Sequence, residues 1–322
     1  MVSRRTAVSF LAASLFFGGT FVSAKYGLQY FPPLLFVSLR FDIGTVLLGA
    51  YVLATRSVDD LVPRTRSDAA AILAAGVASI ALTNAFLFVG QQYATSAIGA
   101  VIFSLNPILT PVFAAFLLDE ERLSRRTAVG MTFGLLGVGL VVHPTPATVF
   151  HGGVGKFLLL GGAASCGLGS VLIQRADANL DSTARTAWAL PLGAFLSHSL
   201  AYAMGERLAA VTWTLAGNVA LVYVGVFAGA GAFIAYFALL DDTGPIRANL
   251  VYYVIPLVAT VGGAVLLDEQ VSVYTVAGFL VVFVGFAVIG SEELDLRQHV
   301  PFFKIEWTNT DEGMTQLGSN AD

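Results

Sequence analysis

From residue 6 to residue 290 the chain is a succession of apolar runs about twenty residues long, broken by short polar or glycine- and proline-bearing links. An α-helix needs a run of that length to cross a hydrocarbon layer about 30 Å thick, because each residue advances it 1.5 Å. Ten such runs lie near 6–26, 33–54, 69–90, 95–118, 125–143, 154–173, 184–204, 215–239, 246–267 and 272–290. They are too long for strands, and Ala, Leu and Gly outweigh any alternating pattern. Only 12% of the 322 residues are charged while 56% are hydrophobic, about half the charged share of a soluble domain. The expectation is an all-α integral membrane protein with ten transmembrane helices. The run that follows Met1–Arg5 exceeds the apolar region of a signal peptide, so it is read as the first span.

Several function classes are excluded on the way. One cysteine, Cys166, precludes a disulfide framework within the chain and reads as a small buried apolar residue. A net charge of −4 gives no basis for nucleic-acid binding. The sequence GGVGKF at 152–157 lacks both the spacing of a phosphate loop and the Ser or Thr after its lysine. H-E-x-x-H and G-x-S-x-G are absent, and His143 and His151 are too sparse for a metal site. No cofactor, metal or enzymatic activity is expected.

Basic residues fix the expected orientation, since they stay on the cytoplasmic side. With the N-terminus inside, thirteen of the Lys and Arg residues fall inside, among them Arg56, Arg64, Arg66, Arg125, Arg126 and Arg247. Lys25, Lys156 and Arg207 fall outside, and Arg40 lies within a span. Both ends are then cytoplasmic, and the protein belongs in the plasma membrane.

One sentence is written twice in the chain. LNPILTPVFAAFLLDEERLS at 105–124 and VIPLVATVGGAVLLDEQVS at 254–272 both run from a proline through apolar residues to LLDE. Aligned, Pro107 overlies Pro256; after a one-residue slip in the acidic cluster, Glu121, Ser124, Gly130 and Gly137 match Glu269, Ser272, Gly278 and Gly285. These are the fourth and fifth spans of one half and of the other. A repeat of five spans is odd, so the second copy must lie upside down. The first corner carries Arg122, Arg125 and Arg126, whereas the second is followed by QVSVY with no basic residue, as inversion requires. Residues 1–148 and 149–290 are the expected halves around a central cavity, with 291–322 a polar cytoplasmic tail. Inverted repeats mark secondary transporters, though channels have them too.

The pattern resembles the EamA branch of the drug/metabolite transporter superfamily. FGGTFVSAK in the first span is similar to the family's W-G-x-x-F-x-x-x-K, with Phe17 in the tryptophan position and Gly18, Phe21 and Lys25 in place. PLLFVSLRF resembles the start of its second helix, with Pro33 and Arg40, and the two proline-to-LLDE runs resemble its fourth-to-fifth helix signature. In the second half Gly167 and Gln174 stand where Gly18 and Lys25 do. The resemblance implies a ten-helix exporter of small molecules, often amino acids or other metabolites.

Polar groups inside a span are costly unless they meet a cavity or a partner. Arg40 suits a bidentate grip on a substrate carboxylate, or else snorkels or pairs with an acid. Asn84, Asn106 and Asn249 are intramembrane amides, able to bind a ligand or to hold helices together. Phe103, Tyr252 and Tyr253 offer aromatic walls. Pro107 and Pro256 free backbone carbonyls at a hinge or cavity. Asp42 is the expected coupling carboxylate for a proton or sodium ion, with helix packing as its alternative. Lys25 reads as a membrane-edge anchor, His198 as packing, and Glu121 and Glu269 as scaffold acids at helix ends.

The function expected is secondary transport, an exporter of small metabolites such as amino acids working by alternating access. Helices one, three, four, six, eight and nine should surround the substrate. A passive facilitator or an exporter of lipophilic drugs are the alternatives, ahead of a membrane enzyme or assembly factor. The partners are a small-molecule substrate, the lipid bilayer and a coupling ion.

Overall fold

The computed structural model describes residues 4–118, 125–142, 153–243 and 251–299. Among them the chain forms ten long helices and no strand. In chain order they are α1 (Arg4–Gly27), α2 (Pro33–Thr55), α3 (Arg66–Gln91), α4 (Ser96–Leu117), α5 (Arg125–Val142), α6 (Val154–Ala176), α7 (Ser182–Ala203), α8 (215–243), α9 (Val251–Leu267) and α10 (Val273–His299). Six of them, α1 to α4, α6 and α8, are long and apolar enough to cross a membrane, while α5, α9 and α10 contain shorter apolar stretches. The family of apolar helices thus follows the sequence reading. Two departures have physical reasons. The polar residues Arg185, Thr186, Ser197 and His198 leave α7 too polar for that group. The tenth helix continues to His299, into the expected tail, because Glu, Leu, Arg and Gln there are good helix formers.

Helix packing has a regular form. The first helix lies against α8 and α9, and α6 lies against α3 and α4. The second helix packs on α7 and α8, α7 on α2 and α3, and α5 pairs with α10. Exchanging every helix for the one five places along reproduces these pairs.

Close contacts obey the same exchange. A Cβ on Gly76 would meet Leu192 Cδ2 at 2.7 Å, and one on Gly225 would meet Ile43 Cβ at 2.8 Å. Gly76 stands to Gly225, and Ile43 to Leu192, at the same offset that separates Pro107 from Pro256. Likewise a Cβ on Gly137 would lie 2.6 Å from Gly278 O, and one on Gly285 2.5 Å from Gly130 O. Small residues let these backbones touch, which is how helices associate where water provides no hydrophobic drive. Both α3 and α8 also widen into a π-helical segment of nine residues, Ala74–Leu82 and Tyr223–Gly231. Each begins two residues before its close-packed glycine.

Acids from distant links close several helix ends. The Glu206 carboxylate accepts Leu34 N–H at 3.2 Å and Leu35 N–H at 2.8 Å, satisfying the start of α2. Partial burial pushes the Glu206 carboxyl above its ordinary range, and these two donors oppose that rise. Glu269 accepts Ser96 N–H at 3.0 Å and so caps α4, in line with its scaffold reading; Glu121 lies outside the described residues. Asp68 accepts four backbone N–H groups, from Arg64, Thr65, Asn179 and Leu180, tying the start of α3 to the link before α7.

Candidate functional site: a central cavity

A cavity of about 420 Å³ opens between the two sets of helices. Its wall takes residues from α1, α3, α4, α6, α8 and α9, as expected, and adds Arg40 from α2 with Arg185 and Thr186 from α7.

Arg40 is the most constrained polar group in it. Only 2% of the residue is exposed. Its Nη1 donates to Asn84 Oδ1 at 3.2 Å, and its Cζ sits 5.0 Å from the Phe41 ring centre and 5.4 Å from that of Phe88. Those ring distances suit cation–π attraction. Asn84 is turned toward Arg40 because its Nδ2 donates to Ile80 O at 2.8 Å, inside the π-helical segment of α3. Arg40 Nε is buried with no hydrogen-bond partner. The alternatives of snorkelling and of pairing with an acid therefore do not describe it: it is buried, and no carboxylate of the described residues reaches it.

A second polar cluster lies where α4, α6 and α9 meet. The fourth helix breaks at Ser104–Leu105 and restarts at Asn106–Leu117, with Pro107 in its first turn, where a missing N–H costs nothing. Asn106, 3% exposed, donates from Nδ2 to Cys166 Sγ at 2.8 Å and accepts from Thr110 Oγ1 at 3.1 Å. Cys166 Sγ lies 3.8 Å from the Tyr252 hydroxyl. Thr110, Cys166 and Tyr252 line the cavity, while Asn106 acts behind them as the group that orders the sulfur and the threonine. The reading of Cys166 as an inert apolar residue is thereby corrected; its neighbour Gly167, matching Gly18, was the signal that placed it at this level of the fold. Phe103 lines the cavity too, edge-on to Phe21 with ring centres 5.6 Å apart. On the opposite wall Phe233 and Tyr236 of α8 stand edge-on to Phe17.

The remaining expected residues divide. Asp42 is not among the cavity residues: its Oδ2 lies 2.8 Å from His198 Nε2, joining α2 to α7, with the Asp42 side chain 47% exposed. His198, read as packing, is that partner. Pro256 is buried within α9. Asn249 and the Tyr253 side chain lie outside the described residues. Lys25 donates to Gln91 O at 2.8 Å, fastening α1 to the end of α3. Sequence reasoning passed over Arg185, Thr186 and Tyr236 as cavity residues and named Gln174 only as the counterpart of Lys25.

The EamA-like transporter family model matches residues 4–143 and matches again over 153–291. The chain belongs to the EamA-like transporter family. It is accordingly a multi-pass membrane protein and a membrane transporter. Three similar proteins are described as uncharacterized transporters. An uncharacterized transporter of Archaeoglobus fulgidus is 25% identical over 275 residues, 85% of this chain and 94% of its own length. Bacillus subtilis YvbV, an uncharacterized transporter, is 26% identical over 292 residues, covering 89% and 92%. The uncharacterized inner membrane transporter YedA of Escherichia coli K12 is 28% identical over 263 residues, covering 81% and 82%. A solved crystal structure shares the fold of this EamA-family chain with a TM-score of 0.64 at 24% identity, over 89% of this chain and 98% of its own.

Proposed function

We propose that the chain is a secondary transporter that exports small metabolites, such as amino acids, by alternating access. Two inverted five-helix repeats, 1–148 and 149–290, rock about the central cavity, with both termini cytoplasmic. The observation that carries this reading is the placement of the central cavity. Its wall draws on both halves, at the interface where the close contacts repeat under exchange of one half for the other. A cavity at a symmetric seam can open to either side by the same small rotation.

Arg40, Asn84, Phe103 and Tyr252 contact the cargo, while Asn106 positions Cys166 and Thr110, and Pro107 and Pro256 sit where helices must bend. Asn249 and Tyr253 complete the proposed binding set. Asp42, away from the cavity, couples to a proton or sodium gradient through its link to His198, which joins the packed pair α2 and α7.

Solute counterflow in proteoliposomes tests the reading, with labelled amino acids and lipophilic cations, with and without an imposed pH gradient. The expected result is counterflow of a metabolite and uphill movement under the gradient. Asp42→Asn should keep counterflow and lose the uphill component; unchanged uphill movement in that variant removes Asp42 from the coupling path. Counterflow that never becomes uphill makes the protein a facilitator.

A further inference from the structure

We propose that the cargo is an organic anion, a carboxylate on an apolar body, and that the Nε/Nη2 edge of Arg40 is the group that receives it. The inference rests on the transport reading and narrows it from small metabolites in general to one charge class. Its basis is an arginine whose hydrogen bonding is half complete. A guanidinium presents its N–H groups along flat edges, and the edge formed by Nε and Nη2 matches the two oxygens of a carboxylate. Among the described residues Arg40 makes one hydrogen bond, from Nη1 to Asn84 Oδ1 at 3.2 Å. The Nε atom is buried with no partner, and the residue lines the cavity. A donor left unmade on a buried charge is costly, and the cost is relieved when an anion arrives and the Arg40 side chain turns that edge toward it.

The rest of the wall agrees on the sign. Arg185 also lines the cavity, and no Asp or Glu does among the described residues. A cargo ammonium group would meet the Arg40 guanidinium and no carboxylate of the described wall. Like charge close by disfavours a cation there. The aromatic groups Phe17, Phe103, Phe233, Tyr236 and Tyr252 supply a surface for an apolar body beside the anionic group. The anchor comes from one half alone: at the repeat offset Ala189 stands where Arg40 does. One anchor therefore serves the cargo in both orientations of the transporter.

Three compounds that share one branched apolar skeleton separate the charge classes: isocaproate, an anion; leucine, a zwitterion; and isoamylammonium, a cation. Thermal unfolding of the purified full chain in detergent, followed by tryptophan fluorescence, reports binding of each to the wild type, Arg40→Gln and Arg40→Lys. The wild type should bind isocaproate at least about tenfold more tightly than isoamylammonium, the scale of one charge-assisted hydrogen bond. Arg40→Gln should lose that preference, and Arg40→Lys should keep its sign at reduced size because an ammonium lacks the paired edge. Without ligand, Arg40→Gln should unfold no earlier than the wild type, since it removes an incompletely bonded buried charge. Equal response of the wild type to the two ions, including none to either, overturns the proposal. So does ligand-free Arg40→Gln that unfolds clearly earlier, which would make Arg40 a structural residue. Counterflow of any solute in proteoliposomes would leave the transport reading standing in either case.

Discussion

The two halves of the molecule share their packing and differ in their chemistry. At matched positions the same small residues bring the same helices together: Gly76 against Leu192 mirrors Gly225 against Ile43, and Gly18 against Val258 mirrors Gly167 against Leu109. At matched positions in and behind the cavity wall the identities diverge. Arg40, Asn84, Asn106 and Thr110 in the first half correspond to Ala189, Phe233, Ile255 and Ala259 in the second. Conversely, Tyr252 stands where Phe103 does and Cys166 where Phe17 does. Symmetry is a demand of the proposed alternating-access motion, because each state must be reachable from the other by equivalent rearrangements. Recognition makes no such demand. The proposed cargo has one polar end and one apolar end, and a site with two polar ends would fit it worse.

The largest effects should come from the shared packing, and they should come in pairs. Replacing Gly137 or Gly285 by Leu forces a side chain against a backbone carbonyl of the facing helix, Gly278 O or Gly130 O. Each should cost about 1–3 kcal/mol of stability, seen as matched losses of unfolding temperature in detergent. A large loss for one and none for the other would break the claim of equivalent halves. The next effect should be unpaired. Asn84→Ala removes the one hydrogen-bond partner of Arg40 among the described residues and should slow transport about tenfold, an interaction of roughly 1.4 kcal/mol. Phe233→Ala, at the corresponding position, should change which apolar bodies are accepted and leave the charge preference in place. If both variants alter charge preference alike, the division of labour between halves is wrong.

The shared part was legible in the sequence and the divergent part only in pieces. Pro107 with Pro256 and the glycines after them are readable because packing recurs: one steric requirement, written twice, shows as a repeat. Arg40 was legible for another reason, since an ionisable residue in an apolar run has few places to go. Asn106 was expected to touch the cargo and instead stands behind Cys166 and Thr110, because one turn of helix decides between wall and second layer, and the period alone does not fix that rotation. Asp42 illustrates the same limit. Its depth was evident; its direction, toward His198 on α7, depended on how two helices cross. The π-helical segments Ala74–Leu82 and Tyr223–Gly231 had no sequence signature at all, since a widened turn arises from the fit of neighbouring helices as much as from local residues.

The smallest expected effect probes the seam itself. Cys166 of the second half accepts the amide of Asn106 from the first, and the sulfur has no counterpart under the exchange, where Phe17 stands. Removing it leaves Asn106 Nδ2 buried without that acceptor, and the cost of such an orphan is about 1 kcal/mol, partly offset because a neutral amide can readjust. Cys166→Ala should therefore unfold a little earlier than the wild type, while Cys166→Ser, which keeps an acceptor of similar size, should unfold close to it. The two variants change the packed volume by nearly the same small amount, so a difference between them reports the hydrogen bond and not the cavity left behind. Equal behaviour would mean that the bond contributes nothing to holding the halves together. The polar wall would then be fixed within the first half alone, by Asn106 with Thr110 and by Asn84 with Arg40. A clear penalty confined to Cys166→Ala would show that the asymmetric chemistry also acts across the seam, joining two halves whose packing is otherwise interchangeable.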